Sequence, residues 1–249
     1  MKYISYNEID STNNEAKRLI SAGKINEETC LAAKMQTAGR GRQGKSFFSP
    51  DTGLYMTVVF PMDCEISSQV TMTTRTACAV AEAIETCTGK KARIKWVNDI
   101  YVNNKKCCGI LCEAVNDYDA GRLKYVVIGI GINIYTKEWP QELKNIAGSL
   151  YEDSYQKIPD DIREALMKTI TDRLEQWLFK KEKEEFIKEY KAYSNVLGRE
   201  IIFLEDGIKR QGKAVDIDEN GSLVVSMSDS EENRNIVLNS GEISLRIIE

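Results

Sequence analysis

The chain has no histidine among its 249 residues. That excludes Ser-His-Asp and Cys-His catalytic machines and any mixed Cys/His zinc site, so general base work falls to carboxylates, lysines or the substrates themselves. Long apolar runs are also missing: no stretch approaches the ~20 residues of a membrane span, and the opening MKYISYNEIDSTNN lacks the apolar centre of a signal peptide. The cytoplasm is therefore the expected compartment. Seven cysteines are present without paired metal-ligand spacing, which fits reduced thiols better than a disulfide framework. The net charge of −4 offers no global attraction to nucleic acid. An apolar fraction of 42% and a charged fraction of 29% are those of an ordinary soluble globular protein, and no internal repeat or low-complexity segment stands out.

What is present starts with Gly39-Arg40-Gly41-Arg42-Gln43-Gly44-Lys45-Ser46. As a bare pattern it fits the phosphate loop of nucleotide hydrolases, and equally a mobile guanidinium-rich loop that closes over a small acid and a nucleotide phosphate. A phosphate loop needs a helix directly after it, whose N-terminal N–H groups hold the phosphates. Here Phe47, Phe48, Ser49, Pro50 and the turn Asp51-Thr52-Gly53 follow instead, then an apolar strand over 54–60 closed by Pro61. The loop joins two strands, so its glycines serve flexibility and close approach. A Walker B-like run at 201–206 lies in a different part of the chain.

The remaining pattern reads as α+β. Strands are expected at 2–6, 29–35, 92–96, 99–102, 108–115 and 124–134, with Asn103-Asn104 as a turn. Helices are expected at 14–22, led by Asp10-Ser11-Thr12-Asn13 and closed by Gly23, and at 66–88, on the spacing of Ile66, Val70, Thr73, Ala77, Ala81 and Ile84. From 160 to about 190 the pattern is helical and highly charged, and KKEKEEFIKEYK reads as a solvated face with i,i+4 pairs. Beyond Asn195 short strands at 200–204, 208–215, 222–226, 235–238 and 243–248 are punctuated by Asp206-Gly207, Asn220-Gly221 and Ser240-Gly241. The expected fold is thus a mixed or antiparallel sheet with flanking helices over 1–195, then a small all-β barrel domain over 196–249.

Four clusters could carry chemistry. Asp10-Ser11-Thr12-Asn13 is on local grounds a helix N-cap, yet its hydroxyls and amide would suit a neutral polar ligand group. Gln36 with Gly39-Arg40-Gly41-Arg42 reads as a solvated basic turn, or as an anion clamp whose glycines are costly to order unless the loop must move. Lys95-Trp96-Val97-Asn98-Asp99, with Lys106-Cys107-Cys108-Gly109 and Glu113, could be turn chemistry around a packed aromatic. Equally, Asn98 and Asp99 could orient a metal-bound triphosphate while Lys106 neutralises a carboxylate. Gly129-Ile130-Gly131-Ile132-Asn133 sits inside an apolar strand, where glycines mark the close approach of a ligand or another backbone.

Together the ordered set DSTN, QTAGRGRQGKSFFSP, KWVNDI, KCCGILCE and GIGIN resembles the biotin protein ligases. The resemblance covers about residues 3–135 by motif and extends by layout to a C-terminal barrel. It implies adenylation of biotin by ATP to biotinyl-5'-AMP, then transfer to a lysine of a biotin carboxyl carrier domain. By that resemblance Ser11, Thr12, Asn13 and Gln36 would hold the bicyclic ring, with Gly109 and Gly129 lining the slot. Gly39, Arg40, Gly41 and Arg42 would fold over biotin and its adenylate, Arg40 and Arg42 joining Lys106 as catalytic groups. Lys106 would contact the reacting carboxylate and phosphate. Arg42, Lys45, Phe47, Asn98, Asp99, Lys106 and Asn133 would face ATP, with Asp99 toward Mg2+. The motifs begin within the first dozen residues, which implies the form without an N-terminal DNA-binding domain; no DNA and no membrane are expected as partners, and a homodimer is allowed. Four positions depart from the family pattern: Gln43 and Lys45 stand where arginines are usual, Phe47 replaces a tryptophan expected near the adenine, and Val97 replaces the proline of KWPND.

Three other readings stay open: a lipoate or octanoate ligase, a non-enzymatic biotin sensor, and a P-loop ATPase. The Ser-Thr-Asn set beside Gln36 favours biotin over a lipoyl tail, and Arg40, Arg42, Asp99 and Lys106 give a clamp that a mere sensor does not need. For Cys107 and Cys108, small apolar packing is the expectation and a redox role the alternative.

Overall fold

The computed structural model describes residues 1–64, 69–117, 122–152, 157–205, 208–227, 234–239 and 246–247. Strand β1 (Lys2–Ile9) leads through helix α1 (Thr12–Ser21) to β2 (Thr29–Gln36), and the two strands pair in parallel from Lys2↔Thr29 to Ile9↔Gln36. The helix starts where the hydroxyl-rich motif predicts: Ser11 is the N-cap and accepts from the Asn14 N–H. Gly23, at a φ of +65°, follows its end.

Every later pairing in the first sheet is antiparallel. It adds β3 (Gly53–Cys64), β4 (Arg93–Lys95), β5 (Asp99–Val102), β6 (Lys105–Asp117) and β7 (Arg122–Asn133), in the order β1-β2-β3-β7-β6-β5-β4. The β5–β6 hairpin turns on Asn103 and Asn104, both at positive φ (51° and 61°), as the Asn-Asn pair predicts.

The two faces of this sheet differ. One carries Met56, Val58, Phe60, Ile128, Ile130 and Ile132 into the main core, beneath helices α2 (Gln69–Thr88) and α3 (Ile162–Glu175). The other begins apolar, with Leu31, Val59 and Val127 packed around Ala16 of α1. Two residues further along the same face, Val59 gives way to Thr57 and Val127 to Gly129, paired in register. The polar site starts at that step.

Several boundaries move. Strand β3 runs through Pro61 to Cys64 rather than ending at Phe60, because its β2 partner stops at the Thr29↔Val59 pair and proline is tolerated on the edge so created. Helix α2 begins at Gln69, and Ile66 lies outside the described residues. The charged stretch folds as a π-turn at Gln176–Lys180 followed by α4 (Lys183–Tyr193), with Phe186 and Tyr190 buried and Lys181 paired to Glu185 and Glu189.

The C-terminal strands β8 (Glu200–Glu205), β9 (Ile208–Ile217), β10 (Leu223–Met227), β11 (Asn235–Leu238) and β12 (Arg246–Ile247) form a second antiparallel sheet in the order β11-β10-β9-β8-β12. Among the described residues its two edge strands do not pair with one another. Residues 201–205 of the Walker B-like run belong to β8; its last residue, Asp206, with Gly207 and the Ser240-Gly241 turn, lies outside the described residues. Ile201, Phe203, Ala214, Leu223 and Val225 join the same buried cluster as the first sheet. Among the described residues no helix is long and apolar enough to cross a membrane.

Candidate active site

A cleft of about 730 Å³ opens on the α1 face of the large sheet. Its floor is set by strand register: Thr57 pairs with Gly129 and Tyr55 with Gly131 on one side, Leu111 with Gly129 and Gly109 with Gly131 on the other. Three glycines at neighbouring positions on one face remove the side chains that would otherwise fill the trough. Two inward groups use the space. A Cβ on Gly129 would run into the Asn13 amide, and one on Gly131 would meet Phe47 at 2.6 Å. The Phe47 ring therefore lies on the glycine floor, edge-on to Tyr55 at 6.3 Å between centroids.

The blind end is neutral and fully bonded. Thr12 donates to Gln36 Oε1 through both its N–H (2.9 Å) and its hydroxyl (3.1 Å). Gln36 Nε2 donates to Ser49 Oγ at 3.1 Å, and Ser49 donates to the Phe47 carbonyl at 2.8 Å. Thr57, wholly buried, has one hydroxyl proton that serves Asn13 Oδ1 at 2.6 Å or Thr12 Oγ1 at 2.8 Å. Asn13 Nδ2 donates to Glu113 at 2.9 Å and the Leu111 carbonyl at 3.4 Å. These side chains are held by one another before any ligand enters.

The loop between β2 and β3 crosses the open side as a short hairpin, with Arg40 bridging Ser46 and the Phe47 N–H donating to the Gly39 carbonyl at 2.9 Å. A 3-10 turn, Arg42–Gly44, makes its tip, and no α-helix follows it. The P-loop reading fails here, because no helix N-terminus faces the glycines. A Cβ on Gly39 would collide with the Phe47 carbonyl and Ser49 Oγ, so this glycine serves a close backbone approach.

The far end is ionic. Arg42 reaches across to Asn98 Oδ1 at 3.1 Å, and Asn98 Nδ2 donates to the Ile110 carbonyl at 3.0 Å. Burial pulls the Arg42 guanidinium below its ordinary value, with the Asp99 charge opposing. Lys106 Nζ lies 2.7 Å from Asp99 Oδ1, yet off the direction of a hydrogen bond, so that buried oxygen is left without a hydrogen-bond partner. Asn133 donates to the Gly148 carbonyl at 3.2 Å while its Oδ1 is buried and unpartnered. The described residues hold no cluster of three or more acidic or cysteine ligands able to form a metal cage. One carboxylate and one amide oxygen with spare acceptor capacity do suit a magnesium that takes most of its ligands from phosphates and water.

Every residue that the resemblance assigns to the site lines this cleft except Gly39, which holds the loop by a close backbone approach; Asp10 and Glu113 of the candidate clusters lie outside its lining. Asn98 and Asp99 follow a cis Trp96–Val97 peptide, where the family pattern has proline. Trp96 also lines the cleft, and its indole N–H donates to the Gly221 carbonyl of the smaller sheet at 2.8 Å. Cys107 and Cys108 are fully buried, and burial pushes the Cys107 thiol up to about 12. That is the packing role expected of them.

Sequence reasoning passed over Thr57, hidden in the apolar run LYMTVVF, and marked Gly131 as a strand glycine at a close approach while giving the slot only to Gly109 and Gly129. It also passed over Trp139, Leu143 and Ile146, which form an apolar rim. The Phe48 and Trp139 rings meet at 6.1 Å, and the Ile146 carbonyl accepts the Lys106 N–H at 3.1 Å.

Comparison with known proteins agrees with this geometry. Residues 6–133 match the model of the biotin/lipoate A/B protein ligase family, and residues 196–246 match that of the biotin protein ligase C terminal domain. A bifunctional ligase/repressor BirA of Bacillus spizizenii is 35% identical over 160 residues, covering 63% of this chain and 49% of that protein. The chain thus spans about half the length of that relative. A biotin--[acetyl-CoA-carboxylase] ligase of Mycobacterium tuberculosis is 26% identical over 241 residues, with 94% of this chain and 85% of that one covered. The biotin protein ligase of Aquifex aeolicus, solved in complex with biotin and ATP, superposes with a TM-score of 0.81 at 30% identity, over 99% of each chain.

Proposed function

The chain belongs to the biotin/lipoate A/B protein ligase family, and on that premise we propose that it adenylates biotin with ATP and transfers the biotinyl group to a lysine of a biotin carboxyl carrier domain in the cytoplasm. The observation that carries this reading is the polarity of one cleft: a pre-bonded neutral end (Thr12, Asn13, Gln36, Thr57) and an ionic end (Arg42, Asp99, Lys106) share one glycine floor. A ureido ring needs paired donors and acceptors without charge. A carboxylate meeting a triphosphate needs cations.

In the first step a biotin carboxylate oxygen attacks the α-phosphorus of ATP, the bond to the β-phosphate oxygen breaks, and pyrophosphate leaves. Two anions must approach, so Lys106 at the β5–β6 hairpin and Arg42 on the loop lower the repulsion as the new P–O bond forms. Magnesium, when bound, would offset triphosphate charge, and Asp99 and Asn133 are the residues that would hold it. Ser11, Thr12, Asn13 and Gln36 orient the bicyclic ring, Gly109 and Gly129 give its slot, and Lys45 and Asn98 face the phosphates. Phe47, with the rim of Trp139, Leu143 and Ile146, offers apolar surface to the adenosine. Gly39, Arg40 and Gly41 let the loop shield the mixed anhydride from water. In the second step the carrier lysine Nζ attacks the acyl carbon, AMP departs, and the amine loses a proton to solvent. Residues 1–195 would form the catalytic unit and 196–249 the smaller domain.

The test is mass spectrometry of the purified protein with ATP, magnesium and biotin, then with a carrier domain. Biotinyl-AMP and a biotin-sized gain on the carrier are expected. An adenylate formed only with lipoate or octanoate would move the protein to the other branch of its family, and ATP binding with no adenylate at all would sink the ligase reading.

A further inference from the structure

Glu113 stands behind the cleft, two residues beyond Leu111 on β6, and faces the same side. Its side chain is only 20% exposed and joins three elements. From α1 it accepts Asn13 Nδ2 at 2.9 Å and Lys17 Nζ at 2.9 Å, and from the loop it accepts Arg40 Nη1 at 3.2 and 3.4 Å. Arg40 Nη1 also donates to Asn14 Oδ1 at 3.1 Å, so the guanidinium is pinned to the start of α1 as well. Burial pushes the Glu113 carboxyl up, but the bonds from Asn13 and Lys17 and the charges of Lys17 and Arg40 hold it below the usual glutamate range.

An ionised carboxylate can only accept. Asn13 must therefore turn its NH2 toward Glu113, which leaves its Oδ1 for Thr57 and the cleft. The same two oxygens fix the loop arginine. With the longer contact to the Leu111 carbonyl (3.4 Å) pointing the Asn13 amide the same way, this carboxylate sets the hydrogen-bonding sense of the neutral pocket and the position of the loop that covers it.

We infer that Glu113 is a positioning residue that couples the biotin pocket to loop closure, orienting Asn13 and anchoring Arg40. This rests on the biotin-adenylating reading above. A glutamate that merely braced the fold would, when replaced, lower thermal stability and scale all activity by the folded fraction. A coupling residue changes the handling of the acid and of the adenylate while leaving ATP alone.

Glu113→Gln keeps the shape but removes the charge and lets the new amide donate, so Asn13 can turn over and Arg40 keeps only Asn14 and a neutral acceptor. We expect about a tenfold rise in the KM for biotin, the effect of losing roughly one bond to a charged group. The KM for ATP should stay within about twofold, and biotinyl-AMP escape, read as hydroxylamine trapping or labelling of a bystander protein, should rise about tenfold. Lys17→Met leaves Asn13 and Arg40 in place and should change each quantity by less than about threefold. A ligand-free readout stands apart from the ligase chemistry: trypsin should cut after Arg40 and Arg42 faster in Glu113→Gln than in the parent protein, at matched thermal stability. Unchanged cleavage, or biotin and ATP constants that move together, overturns the inference. Failure of the parent protein to make biotinyl-AMP, with cleavage still accelerated in the variant, overturns the ligase reading and leaves the coupling standing.

Discussion

The two ends of the cleft are finished to different degrees. At the neutral end each polar side chain already has a partner: Thr12 on Gln36, Gln36 on Ser49, Thr57 on Asn13, Asn13 on Glu113. At the ionic end Asp99 Oδ1 and Asn133 Oδ1 are buried without hydrogen-bond partners, and Arg42 carries its charge half-buried. A buried acceptor left bare, as Asn133 Oδ1 is, costs about 1–3 kcal/mol, and Asp99 Oδ1 is covered only by the charge of Lys106 at 2.7 Å, so the ionic end has more to gain from being filled. The neutral end is a template for a fixed shape, whereas the ionic end stores a demand for cations and phosphate that the nucleotide brings.

That contrast can be broken from either side. The largest effect is expected for Lys106→Ala at the ionic end: biotinyl-AMP formation should fall by about 10²–10³-fold, the scale of losing one preorganised charge-stabilising group. Equilibrium biotin binding, measured calorimetrically, should change far less, and equal losses in both would erase the distinction. Next is Gly129→Ala at the neutral end, whose Cβ would displace the Asn13 amide. Overpacking of about 1–3 kcal/mol should weaken biotin binding roughly 10- to 100-fold, with nucleotide binding kept. Thr57→Val removes the donor to Asn13 without a change of shape and should lower unfolding free energy by about 1–2 kcal/mol in urea titration, with Thr57→Ser restoring most of it. The smallest effect belongs to the two cysteines that follow Lys106. Burial holds the Cys107 thiol near 12, so its thiolate grows only as pH rises toward that value. At pH 8 labelling of Cys107 and Cys108 should be slow in folded protein, become fast in denaturant, and be insensitive to biotin with ATP.

Much of this was written in local chemistry. Ser11 announces the start of α1, Asn103-Asn104 the β5–β6 turn, and the residues after Ser46 exclude a phosphate-binding helix. What stayed hidden depends on strand pairing. Thr57 reads as filler in an apolar strand, and only its register with Gly129, beside Asn13, makes it part of the site. Pro61 reads as a strand end, but β3 continues because the neighbouring strand has stopped. Trp139, Leu143 and Ile146 lie in a stretch without helical or strand period, so no pattern ties them to a cleft whose other walls come from residues 11–56 and 95–133. Phe47 rests on the floor because Gly109 and Gly131 leave room there, a placement that strand register creates and no local pattern shows.

The hydrogen bond from the Trp96 indole to the Gly221 carbonyl has an engineering consequence. The turn that presents this carbonyl is closed by Asp218, which accepts from the backbone N–H groups of Asn220 and Ser222 at 2.8 Å each, and Thr71 fastens it to α2. A chimera that grafts another relative's small sheet onto this chain therefore inherits a geometric requirement. The donated turn must offer an acceptor at the same spot, or a cleft-wall indole is left with its N–H facing nothing. The smaller sheet is thus not a freely exchangeable cassette. Beyond the apolar cluster that both sheets share, compatibility with a foreign partner rests on this loop tip, which makes it a polar contact to match when splitting, shuffling or permuting proteins of this kind.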